Sequence, residues 1–140
     1  MRKLVALVGT NMKIDVKNLF EQAKKIRENA YAPYSKFKVG AALLTENGNV
    51  YTGVNVENVS FGLTICAERN AIFSAVANGE KKFKAIAVVI DSGDDLAIPC
   101  GACRQVIYEF GKDIDVIMAN ASGKYEINKI SELLPKAFSF

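Results

Sequence analysis

Residues 85–119 read AIAVVIDSGDDLAIPCGACRQVIYEFGKDIDVIMA, and the fold turns on this stretch. Residues 85–90 are an unbroken apolar run, the mark of a strand covered on both faces. Pro99 introduces a helical segment over 101–110, which Gly111 ends. Residues 115–119 repeat the buried-strand pattern. A strand, a helix and a second strand in that order demand a crossover connection, so helices must cover the sheet. Upstream, alanines and branched apolar residues at helical spacing predict another helix over 66–77, stopped by Asn78 and Gly79. Further upstream, residues 37–45 and 49–55 read as two strands joined by a hairpin around the Asn47-Gly48 pair. Asp15 is placed to cap a first helix, in which Val16, Leu19, Phe20, Ala23, Ile26 and Ala30 recur at helical spacing. Residues 125–127 suit a short edge strand, and 131–134 a last helix before Pro135. The expected class is α/β: a three-layer α/β/α sandwich with a mixed sheet of about five strands.

The chain has 140 residues, half of them hydrophobic and 24% charged, which suits one globular domain. Residues 1–12 read as an N-terminal extension of unassigned role, and 13–140 as a single domain. The apolar run 4–8 is shorter than the roughly 7 to 15 residues of a signal h-region, and no stretch approaches transmembrane length. Lys and Arg number 18 against 15 acids, a net charge of +3, and the basic residues are dispersed rather than gathered into a stripe for phosphates. Nucleic acid and membrane are therefore not the expected partners.

The chain contains no His and three Cys. Within one chain this excludes Cys-His and Ser-His-Asp catalysis. An odd number of thiols cannot all pair internally, and reduced thiols in a cytoplasmic setting are the expectation. All three cysteines stand at predicted helix starts: Cys66 opens one helix in Cys66-Ala-Glu68, and Cys100-Gly-Ala-Cys103 opens the other. Partial positive charge at a helix start favours the thiolate, hence metal ligation or redox chemistry. Inert burial is the plainer alternative. A Cys100–Cys103 redox pair is another, and it leaves Cys66 and Glu68 unexplained.

Three thiolates suit Zn²⁺, one per chain, and the missing fourth protein ligand implies an open position of the hydrolytic kind. Glu68, two residues beyond a ligand, is placed to accept and return a proton there. Zn²⁺ with three thiolates carries 2 − 3 = −1, a charge that would blunt the metal's pull unless a cation offsets it. Arg69 is the first supporting candidate and Arg104 the second, each directly following a residue of the site.

Cys66-Ala-Glu68 with Pro99-Cys100-Gly-Ala-Cys103 resembles the signature of the zinc nucleoside deaminases, in an all-cysteine form. Tyr31-Ala-Pro-Tyr-Ser-Lys-Phe37, Val39-Gly-Ala-Ala42, Asn55-Val-Glu-Asn58, Arg104-Gln105 and Leu133-Leu-Pro-Lys-Ala-Phe138 extend the likeness over nearly the whole chain after Met12. The sequence is similar to the small homotetrameric cytidine deaminase family. That resemblance implies hydrolytic deamination of cytidine and deoxycytidine at C4 to the uridine products and ammonia, as in pyrimidine salvage, with Glu68 as proton carrier. It also implies that Ala67 meets the base through its backbone, that Asn55 and Glu57 hold the ribose 3′-hydroxyl, and that Phe37 and Phe138 stack on or cover the pyrimidine. In a homotetramer with shared sites, Phe138 would act on a neighbouring chain. Without the family likeness, Asn55 and Glu57 read as an exposed loop at a strand end, and Phe37 as core.

Two related activities and one non-catalytic role compete with this reading. A deaminase of a modified cytosine nucleoside such as blasticidin S shares the zinc and the glutamate, but Glu57 and Asn58 after Asn55-Val56 favour an ordinary ribose. A polynucleotide deaminase would bring a His ligand and a basic groove, and this chain supplies neither. A zinc-stabilised interaction domain would need the metal only to fold.

Overall fold

The computed structural model describes the backbone of residues 5–8 and 12–140. In chain order the elements are β1 (Val5–Val8), β2 (Met12–Asp15), α1 (Val16–Arg27), β3 (Gly40–Thr45), β4 (Val50–Val54), α2 (Ala67–Ala77), β5 (Phe83–Ile90), α3 (Gly101–Glu109), β6 (Asp115–Asn120), β7 (Tyr125–Lys129) and α4 (Ile130–Leu133). A single 3₁₀ turn, Phe61–Leu63, precedes α2. No helix among the described residues is long and apolar enough to cross a membrane.

Five strands form one sheet in the order β4-β3-β5-β6-β7. β5 and β6 run parallel, with Ala85 opposite Asp115 and Ile90 opposite Asn120, and every other neighbouring pair is antiparallel. The crossover expected between residues 90 and 115 is α3. Side chains alternate along each central strand as the pleat requires. Ala41, Leu43, Ile86, Val116 and Met118 face α2 and α3, whereas Ala42, Ala85, Ala87, Val89, Ile117 and Ala119 face α1. Helices on both faces make the three-layer sandwich, and they explain why β5 and β6 carry no polar face.

Local chemistry sets the ends of the elements. Asp15 caps α1 by accepting from Asn18 N–H at 3.0 Å, as expected. Gly48 takes φ 87° in the β3–β4 turn, where its N–H donates to Thr45 O at 3.0 Å. The ladder starts at Gly40, later than residue 37, because the Asn55 side chain captures the backbone there: its Oδ1 accepts from Val39 N–H at 2.9 Å and its Nδ2 donates to Phe37 O at 2.8 Å. Helix α1 stops at Arg27, short of Ala30, where the Asn29 and Ala30 amides close turns onto Ile26 and Arg27 carbonyls. Before α1, Met12–Asp15 is a strand rather than unassigned chain, paired antiparallel with Val5–Val8. The reading of residues 1–12 as an extension falls partly outside the described residues.

Two features of this framework bear on the site. Gly53 on β4 lies directly under the first turns of α2, and a Cβ there would come 2.5 Å from Ala67 O and 2.9 Å from Ala71 Cα. Asn120, at the end of β6 and 1% exposed, shapes the loop ahead of α3. Its Nδ2 donates to Gly93 O at 3.1 Å and Asp95 O at 2.8 Å.

Candidate metal centre and adjoining cavity

The starts of α2 and α3 converge, which the sequence suggested without displaying. Cys66 and Cys100 are the N-cap residues of the two helices, neither thiol is spent on capping its helix, and Cys103 stands in the first turn of α3. The three sulfurs lie within 4.8 Å of one another, with Cys66 Sγ and Cys100 Sγ 3.9 Å apart. Tetrahedral Zn²⁺ with Zn–S bonds near 2.3 Å requires sulfurs about 3.8 Å apart, so this donor set fits the metal. Cys103 is buried, Cys66 partly buried and Cys100 exposed. The cluster is therefore closed by protein at Cys103 and open at Cys100. A Cys100–Cys103 pair acting alone is a poorer description, since Cys66 belongs to the same cluster.

The surroundings are electrostatically matched to thiolates. Arg69 Nη2 donates to Cys66 Sγ at 3.3 Å. The Cys66 thiol is held well below its ordinary value, first by a hydrogen bond from Cys103 and also by Arg69, against the opposing effect of burial. Cys103 is pushed up by its role as donor to Cys66 and by burial. Arg69 is pushed up by the same sulfur contact, and its buried Nε lacks a partner. Arg104 is placed otherwise: its Nε donates to Pro99 O at 2.8 Å and its Nη1 to Leu133 O at 2.7 Å. It ties the loop before Cys100 to α4 and does not face the sulfurs.

Beside the cluster lies a cavity of about 420 Å³, within the roughly 300–1,000 Å³ common for small-ligand pockets. Cys66, Ala67, Glu68 and Cys100 line it, together with Ser35, Phe37, Asn55 and Glu57. Ile90, Leu96, Ala97 and Ile98 make an apolar side. Glu68 is 4% exposed, and loss of hydration pushes its carboxyl above the usual range. Phe37 is 44% exposed and faces the cavity instead of filling the core.

Asn55 and Glu57 are not a free loop. Asn55 is buried and clamps residues 37 and 39 through the bonds already described. Glu57 Oε1 accepts from Tyr34 N–H at 3.0 Å and Ser35 N–H at 3.1 Å, and its Oε2 accepts from Ser35 Oγ. The Ser35 bonds, side chain first, hold the Glu57 carboxyl below its usual range. Phe138 does not reach this cavity in its own chain. It is 71% exposed, with its ring 5.4 Å from that of Phe140 and its carbonyl accepting from Gln105 Nε2 at 3.0 Å.

The sequence reading passed over Ser35, Leu96, Ile98 and Asn120. A pointer to Ser35 existed in its place between Tyr34 and Phe37 inside the quoted motif. Leu96 and Ile98 carry no chemistry that a single sequence could mark.

Comparison with known proteins agrees with this geometry. Residues 13–119 match the family model described as the cytidine and deoxycytidylate deaminase zinc-binding region. The chain is 51% identical over 127 residues to the cytidine deaminase of Sporosarcina psychrophila, covering 90% of this chain and 93% of that one. A crystal structure of cytidine deaminase from Burkholderia pseudomallei superposes with a TM-score of 0.86 at 50% identity, covering 89% of this chain and all of the other. Similarity to the blasticidin-S deaminase of Bacillus cereus is lower, 35% over 112 residues, covering 75% of this chain and 79% of that one.

Proposed function

Because this chain belongs to the cytidine and deoxycytidylate deaminase zinc-binding family, we propose that it hydrolyses the C4 amino group of cytidine and deoxycytidine, giving the uridine product and ammonia. The observation that carries this reading is the cluster of three sulfurs, of which Cys66 and Cys100 line the cavity together with the buried Glu68. Cys66, Cys100 and Cys103 hold the zinc, which when bound supplies Lewis acidity that makes water a nucleophile near neutral pH. Glu68 takes one proton from the attacking water and delivers it to N3 of the base. It then takes the remaining proton from the hydroxyl of the C4 adduct and delivers it to the departing amine, so that C4 becomes a carbonyl as the C4–N bond breaks. One carboxylate can serve all these transfers because it lines the cavity together with Cys66 and Cys100, and burial keeps its proton affinity high enough to act as donor as well as acceptor. The Ala67 backbone N–H, in the first turn of α2, has no partner inside the helix and is available to the base.

Phe37 covers the pyrimidine. Asn55 retains one N–H and Glu57 Oε2 one lone pair after their contacts with the chain, a donor and an acceptor that together satisfy one sugar hydroxyl, the 3′-hydroxyl. Arg69 offsets the net charge of the metal centre. The lower similarity to the blasticidin-S enzyme favours the ordinary nucleoside. In our reading residues 13–140 act as one domain in a homotetramer with shared sites, in a reducing cytoplasm and in pyrimidine salvage.

The direct test is loss of cytidine absorbance in the ultraviolet. Wild type should turn over, and Glu68→Gln should keep one zinc per chain while losing at least about 10²-fold in rate, the usual share of a general acid-base group. Turnover by Glu68→Gln within severalfold of wild type would remove Glu68 from the mechanism. Zinc bound undiminished by Cys103→Ala would do the same for the ligand set.

A further inference from the structure

Ser35 stands at the centre of a hydrogen-bonded chain that joins two of the proposed substrate contacts in the cavity, Glu57 and Phe37. Its hydroxyl donates to Glu57 Oε2 and accepts from Phe37 N–H at 3.0 Å. It spans Lys36, which lies in the left-handed region at φ 61°, a conformation a non-glycine residue keeps only when its surroundings hold it there. Lys36 N–H is itself fixed to Ala32 O at 3.0 Å. The backbone of Phe37 is thereby gripped at both polar groups, its N–H by Ser35 Oγ and its carbonyl by Asn55 Nδ2.

Glu57 has little capacity to spare. Both lone pairs of Oε1 are taken by the Tyr34 and Ser35 amides, and Ser35 Oγ takes one of the two on Oε2. A hydroxyl arriving from the cavity must use the last one, next to the Ser35 proton. The carboxylate that reads the sugar is thus oriented by the same hydroxyl that fixes the aromatic residue over the base.

We propose that Ser35 is a positioning residue that couples sugar recognition at Glu57 to base stacking at Phe37. This rests on the assignment of Glu57 and Phe37 to a nucleoside, given above, and adds that neither contact is set independently of the other. Ser35 is itself exposed and lies on the cavity wall, so small changes there need not disturb the core. Among the described residues its side chain bonds to Glu57 and Phe37, not to Glu68 or the thiols, so its effect falls on binding rather than on the proton transfers.

The experiment measures equilibrium binding of uridine and of 3′-deoxyuridine to the zinc-loaded protein by calorimetry, alongside KM and kcat for cytidine. Ser35→Ala should bind uridine about tenfold more weakly, the scale of one lost charge-assisted hydrogen bond. KM should rise by a similar factor, with kcat within about threefold of wild type. Ser35→Cys, of similar size but a weak donor, should behave as Ser35→Ala does, and Ser35→Thr should restore wild-type binding. With 3′-deoxyuridine, which offers Glu57 no hydroxyl, the Ser35→Ala penalty should shrink to about twofold. Unchanged uridine binding in both Ser35→Ala and Ser35→Cys overturns the proposal, as does an equal penalty for the two ligands. A wild-type protein that neither deaminates cytidine nor binds uridine overturns the nucleoside assignment itself, an outcome distinct from normal turnover with no Ser35 effect.

Discussion

Arg69 and Arg104 occupy similar places in the sequence, each one residue after a group of the metal centre, yet their guanidinium groups end in different surroundings. Arg69 donates to Cys66 Sγ, whereas Arg104 donates to the Pro99 and Leu133 carbonyls. A cation beside a thiolate ligand withdraws charge from a centre that would otherwise carry −1, while a cation bonded to carbonyls braces a loop. Arg69→Gln should therefore lower kcat by about 10- to 100-fold with one zinc still bound per chain, the scale typical of residues that support metal ligands. Arg104→Gln should lower Tm more than kcat. Metal analysis, steady-state kinetics and thermal melts on the two variants check this, and equal kinetic losses would show that the contact of Arg69 with Cys66 has no special part in turnover. The thiols and Glu68 were legible in the sequence because helix-start chemistry is local. Ser35, Asn55 and Glu57 were less so, because Asn55 and Glu57 find their partners, mostly backbone groups, 16 to 23 residues away. No residue pattern marks such long-range capture in a single sequence.

Helix α2 brings Cys66 and Glu68 to the cavity only because its first two turns press against β4. Gly53 makes that approach possible, and Asn70 Nδ2 secures it by donating to Val54 O at 2.8 Å. Gly53→Ala must push the start of α2 away from the sheet, since the atoms it would meet are helix backbone and cannot rotate aside. The expected cost is about 1–3 kcal/mol, the range for overpacking a tight interface. Activity should fall further than stability alone explains, because the displaced turn carries Cys66 and Glu68, the zinc ligand and proton carrier of the proposed mechanism. Gly62→Ala is the control, since a Cβ there meets nothing within 4 Å. Denaturant unfolding with zinc analysis checks the pair, and a Gly53→Ala protein with unaltered stability would show that the helix can slide without loss. Apolar periodicity announced the helices and strands themselves. The strand beginning at Gly40 was expected earlier because periodicity cannot register a side chain such as Asn55 replacing a neighbouring strand as hydrogen-bond partner.

At the scale of the whole molecule, the aromatic C-terminus is the part a single chain leaves unfinished. Phe138 and Phe140 pack edge to face on each other and remain exposed, beside Tyr108 and Phe110 on the surface of α3 and the turn after it. Large aromatics gain by leaving water, and neither the core nor the cavity of the same chain takes them. In the proposed homotetramer, the expectation that Phe138 covers a pyrimidine is met by the cavity of a neighbouring chain, and mixing mutant chains tests it. Chains carrying Glu68→Ala lack the proposed proton carrier but keep Phe138, while chains truncated before Phe138 keep Glu68 and lack the proposed cover. Each should be inactive alone. After dissociation and joint reassembly, some sites unite an intact Glu68 with a Phe138 from the other chain, and part of the activity should return. Truncated chains that are active by themselves would show that the cover matters little. Confirmed mixed assemblies that stay inactive would instead place the action of Phe138 within its own chain, which would require the tail to swing from α3 across to the cavity.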